Sequence, residues 1–192
     1  VGVGQVVLTL IREVAGRIAM VANWDDLYWV LDDEQQRLLL RLSPAPFGGD
    51  RAVWAFALAQ THALRGDSAR ARAYADSVRL VYEARLPDVP QDAVTHAYLG
   101  MALAYMGRKA DAVREGRRAL ALAHASANPQ LRRDIQRHLA RTYVLVGKQD
   151  EALDLLEPLH GHDVLSPGWL RIDPAFTPLR GQPRFARLIA RE

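Results

Sequence analysis

The chain has 192 residues, a formal net charge of +3 and a pI near 9.5, with 49% apolar and 24% charged residues. That balance is ordinary for a folded globular chain and excludes a disordered one. It contains no cysteine, which excludes disulfides, thiolate zinc sites and cysteine nucleophiles.

All but two of the 25 basic residues are arginine, Lys109 and Lys148 being the exceptions, and acids are scattered among them. A nucleic-acid-binding chain concentrates its positive charge on one face, so the scatter points to compositional bias and away from a specific nucleic-acid partner. Valine at position 1 is expected of a processed chain or a fragment. With no secretory signal pattern the cytoplasm is the favoured compartment, an extracytoplasmic tail of a membrane-anchored protein being the alternative.

The punctuation along the chain is helical throughout. Residues 1–22 are apolar but interrupted by Gln5, Arg12, Glu13 and Arg17, which predicts an amphipathic helix and no membrane span. Asn23-Trp24-Asp25-Asp26 and Asp32-Asp33-Glu34-Gln35 each open a short helix, Gln35 being placed to complete a capping box. Their carboxylates are explained by helix starts, where negative charge meets the positive end of the dipole. Residues 43–49, Ser-Pro-Ala-Pro-Phe-Gly-Gly, form a linker that reorients the chain.

From here a period emerges. Gly66, Gly107 and Gly147 recur at nearly equal intervals, and Ala71, Ala112 and Ala152 follow each at the same offset. Asp50, Asp92 and Asn128 cap the helix before each glycine, Asn128 being followed by Pro129 at the first helical position. Each unit therefore reads as a helical hairpin turning at a left-handed glycine. Numbering every turn glycine 15 aligns Leu58, Leu99 and Leu139 at position 7, and Ala59, Gly100 and Ala140 at position 8. Ala71, Ala112 and Ala152 then share position 20, and Val78, Ala119 and Leu159 share position 27. Small residues at 8 and 20 allow the two helices to cross closely while the leucine fills the groove beside them.

This pattern resembles the tetratricopeptide repeat, the middle unit most closely in Leu99-Gly100, Gly107, Ala112 and Ala119. The resemblance implies an all-α superhelix of antiparallel hairpins, with an N-terminal helical cap over 1–50, three hairpins over 51–91, 92–127 and 128–160, and a C-terminal cap over 161–192. Ser166-Pro167, Asp173-Pro174 and Gln182-Pro183 open three short helices in that last segment. The string from Leu165 to Pro174, with Pro178-Leu179-Arg180-Gly181 and Pro183-Arg184-Phe185, resembles the ends of bacterial signalling proteins in which such modules follow a kinase, a cyclase or a DNA-binding regulator.

What the resemblance implies for function is a non-catalytic scaffold, without a cofactor, that binds a protein or peptide on its concave face or self-associates. Carried over position by position, the groove comprises Phe56, Gln60 and Leu64, then Ala97, Met101 and Tyr105, then Arg137 and Arg141. Its basic end suits an acidic ligand, because Arg133, Arg137 and Arg141 form one helical stripe able to grip carboxylates. A solvated face partly neutralised by Asp134 is the plainer reading of the same stripe. Phe56 and Gln60 stand where chaperone-binding relatives would carry clamp residues, so that specificity is not expected.

The remaining candidates have bland explanations. His160, His162 and Asp163 have metal-like composition but need a distant third ligand, and an exposed turn accounts for them. His62 and His96 read as packing residues, since no nucleophile stands at a recognisable spacing. No phosphate loop follows Val1-Gly2-Val3-Gly4. The alternative function is binding of nucleic acid or another acidic ligand through the arginine-rich surface.

Overall fold

In the computed structural model, the helix starts after Asp32, Asp50, Asp92, Asn128 and Ser166 coincide with side chains that take up orphan amide protons of the first turn. The structure describes residues 3–159 and 166–190, and no strand occurs among them. Helix α1 (Val3–Asn23) leads into a 3₁₀ turn at Trp24–Val30, followed by α2 (Asp33–Leu39). The capping box of α2 is complete: the Gln35 N–H donates to Asp32 Oδ1 at 2.8 Å, and the Asp32 N–H donates to Gln35 Oε1 at 3.0 Å. No helix among the described residues is long and apolar enough to cross a membrane.

The first hairpin comprises α3 (Arg51–Leu64) and α4 (Ser68–Arg85), the second α5 (Ala93–Tyr105) and α6 (Lys109–Ala125), the third α7 (Pro129–Val146) and α8 (Gln149–Leu156). Asp50, Asp92 and Asn128 cap the leading helices through their side-chain oxygens. All three hairpins turn alike. Gly66, Gly107 and Gly147 have φ of 79°, 79° and 85°, the left-handed region that only glycine enters without cost. The next residue's N–H then reaches back five positions: Asp67 to His62 O at 2.9 Å, Arg108 to Leu103 O at 2.9 Å, and Lys148 to Tyr143 O at 2.8 Å. These bonds are the outer rungs of three equivalent Schellman motifs.

The described residues fall into two compact units divided between Val81 and Tyr82, inside α4. In the first, Ile18, Ala19 and Ala22 of α1, Tyr28, Leu31, Leu39 and Phe47 form one core with Ala57 and Leu58 of α3. Trp54 Nε1 donates to the Leu42 carbonyl at 2.7 Å, and its ring meets Tyr74 edge-on at 5.6 Å. Tyr74 in turn stacks on His62 at 5.4 Å, so α3 and α4 are joined by three rings.

The second unit shows why positions 8 and 20 are small. A Cβ built on Gly100 would lie 3.1 Å from both the Ala112 carbonyl oxygen and the Gly116 amide nitrogen, so the backbones of α5 and α6 touch there. Gly116 repeats the device one layer on, where a Cβ would fall 2.6 Å from Leu139 Cδ1 on α7. Residues at positions 7, 8, 20 and 27 are buried in all three hairpins.

Three short pieces close this unit: α9 (Pro167–Ile172), a 3₁₀ turn at Pro174–Leu179 and α10 (Pro183–Ala190). Ser166 caps α9 and Asp173 caps the turn, with proline at each first position. Leu170, Phe176, Leu179 and Phe185 are all 0% exposed, each burial favouring the fold by about 1.5–3 kcal/mol. The turn packs on α7.

Candidate functional site

A groove lined by the leading helices requires side chains that reach solvent, and most of the expected row does not. Phe56, Gln60, Ala97, Met101, Arg137 and Arg141 are buried, and Tyr105 is half-buried. Only Leu64 of the eight is exposed. On α7 the reason is visible: the turn after α9 lies against the helix, and its cap residue meets the stripe.

Arg141 Nη2 donates to Asp173 Oδ2 at 2.7 Å, with the arginine 4% and the aspartate 0% exposed. The second oxygen, Oδ1, accepts the Ala175 N–H at 2.8 Å. One carboxylate thus starts a helical turn and holds a guanidinium 32 residues away. At Arg141, expected to grip an acidic ligand, the carboxylate is supplied by the chain itself, as an internal ion pair. Arg137 is buried beside it at 3% exposure, and Arg133 donates to Gln130 Oε1 at 2.8 Å. The three arginines do share a helix, but two of them face inward.

The histidines also serve packing. His138, next to Arg137, tilts against Tyr98 at 5.1 Å, and Tyr98 stacks on Tyr82 at 6.0 Å. Burial pushes its imidazole well below the usual histidine range, and Arg137 and Arg141 push the same way. His62 is lowered as well, by burial first, with Asp67 at 3.7 Å opposing. His96 Nδ1 lies 2.8 Å from Glu115 Oε2 and its Nε2 lies 3.2 Å from the Pro90 carbonyl, tying α5 to α6 and to the loop before it. His160, His162 and Asp163 lie outside the described residues. Among the described residues no three histidine, aspartate or glutamate side chains are grouped to hold a metal ion.

Several surface arginines stand beside carboxylates. Arg37 pairs with Asp33, Arg70 with Asp67, Arg79 with Asp76, and Arg108 and Arg114 both with Asp111. Arg184 contacts Asp150, Asp154 and Glu157, and its hydrogen bonds to Glu157 and Asp154 raise its pKa above the ordinary arginine value. Each of these cations is locally neutralised.

One open apolar feature was not anticipated from the sequence. A groove of about 280 Å³ runs between α1 and α2, lined by Val14, Arg17, Ile18, Glu34, Gln35 and Leu38. Val14 and Leu38 are exposed at 47% and 37%. The spacing of Val14, Arg17 and Ile18 on one helical face was available as a signal. No protein-family model matches the chain, and no curated protein sequence matches it either.

Proposed function

We propose that the chain is a non-catalytic scaffold that binds another protein chain, built as a tetratricopeptide-like superhelix of three hairpins between helical caps. The observation that carries this reading is the recurrence of one construction: the same left-handed glycine, the same back-reaching hydrogen bond, and small buried residues at both helix crossings. Repetition of a hairpin that cannot bury its own face is the physical basis of solenoids, whose surfaces serve recognition.

The chemistry of the interior supports the same reading. Arg141, Asp173, His96 and Glu115 are engaged with one another across the fold, and His62 and His138 are packed against rings. An enzyme arranges such groups around a reacting atom, whereas here they bridge elements. The ending that resembles signalling proteins supports a place for the scaffold as a module beside an output domain. Pairing of Arg37, Arg70, Arg108, Arg114 and Arg184 with carboxylates weighs against nucleic acid as the ligand.

The test is binding by the purified chain to protein, including itself, and to random duplex and single-stranded DNA over a salt series. Saturable protein association with weak DNA binding is expected. Tight DNA binding that weakens steeply with salt, without any protein association, would overturn the reading.

A further inference from the structure

We infer that the groove between α1 and α2 is a self-association surface, occupied by the same groove of a second copy related by a two-fold axis. The inference rests on the scaffold reading and specifies its partner. The groove has an apolar floor of Val14, Ile18 and Leu38, with Arg17 on the α1 wall and Glu34 on the α2 wall. Its walls therefore carry one charge of each sign.

Among the described residues neither side chain has a charged partner. Asp33, adjacent to Glu34, pairs with Arg37 and Arg65, whereas Arg17 and Glu34 form no ion pair or hydrogen bond among the described residues. A partner of one sign would satisfy one wall and repel the other. A two-fold axis satisfies both, because in an isologous interface a contact from residue i to residue j occurs twice. Arg17 of each copy then meets Glu34 of the other, and the exposed Val14 and Leu38 are covered in the same step. Apolar burial supplies the affinity and the crossed charges set the register.

The experiment is sedimentation equilibrium of the whole chain over a concentration series, with charge-reversed variants. The wild type dimerises. Arg17→Glu alone, or Glu34→Arg alone, places like charges together twice and weakens the dimer by about tenfold or more. An equimolar mixture of these two variants forms a heterodimer with both contacts restored, and the double variant Arg17→Glu/Glu34→Arg dimerises by itself. Both residues sit on the surface, and unchanged thermal unfolding of the variants confirms that folding is not the cause. Leu38→Gln, a second exposed position, weakens the dimer without altering charge. A wild type that stays monomeric, a dimer indifferent to every variant, or single variants not rescued on mixing would each overturn the inference. A monomer that still binds a different protein would do so while leaving the scaffold reading intact.

Discussion

Arg141 and Asp173 form a buried ion pair that joins the third hairpin to the closing segment, and the same aspartate begins the turn that follows it. Taking both charges out of water is costly, so the pair favours one docking of the cap over others more than it adds net stability.

Breaking one side of that pair exposes the imbalance. Asp173→Asn keeps an acceptor for the Ala175 amide and removes the charge, leaving Arg141 without its carboxylate; a loss of about 3–5 kcal/mol is expected. Arg141→Met/Asp173→Asn should lose less than the sum of the two single changes. Urea unfolding of the four proteins measures this, and strictly additive losses would contradict the pairing. The same experiment separates this internal role of Arg141 from that of a ligand-gripping surface residue, which would tolerate replacement.

The hairpin turns make a second prediction. At Gly107, with φ of 79° and no heavy atom within 4 Å of a built Cβ, a larger residue meets open space but a strained backbone. Gly107→Ala should therefore cost roughly 1–2 kcal/mol, and Gly107→Asn less, because asparagine tolerates the left-handed region. Gly66 and Gly147 should respond alike. Chemical denaturation of the six variants checks this, equal stability of alanine and asparagine variants being the contrary result.

Acid should destabilise the fold through its buried imidazoles. His138 has a folded pKa well below its ordinary value, mainly from burial, while in the unfolded chain it protonates near pH 6.5. Below that pH the unfolded state binds the proton and the folded state does not, so stability falls with falling pH by up to about 1.4 kcal/mol per pH unit. Above about pH 7 the effect vanishes. His62 acts in the same direction. Asp33, Asp111 and Glu151, each lowered first by a hydrogen bond from a basic side chain, add loss only in the carboxylate range. Melting temperatures measured from pH 7.5 to 5 should decline for the wild type and decline less for His138→Gln. Parallel profiles would assign the acid sensitivity elsewhere.

Local signals were legible wherever they depend on neighbours in the chain. Asp32 with Gln35, Asn128 with Pro129 and the three turn glycines each specify a conformation within a few residues, and all adopt it. The small residues at Gly100 and Ala112 announced a close crossing because their recurrence has no other local use, and their backbones do meet. Burial of the groove row was not legible. Arg141 lies 32 residues from Asp173, and nothing local to either reveals that a cap residue has a spare oxygen turned toward a guanidinium. Glu115 beside His96 was hidden for the same reason, as a contact across two helices. Arg17 and Glu34 look like ordinary solvated charges until the helices bring them to opposite walls of one groove.

The account depends most on small side chains setting the helix crossings, and unfolding of Ala112→Leu against Ala110→Leu tests that directly. Ala112 is 0% exposed with its carbonyl against Gly100, whereas Ala110, two residues earlier on α6, is exposed. Overpacking at Ala112 should lower stability by about 1–3 kcal/mol, and the change at Ala110 should stay within about 0.5 kcal/mol of the wild type. Equal stability of the two variants would contradict the crossing and, with it, the repeat.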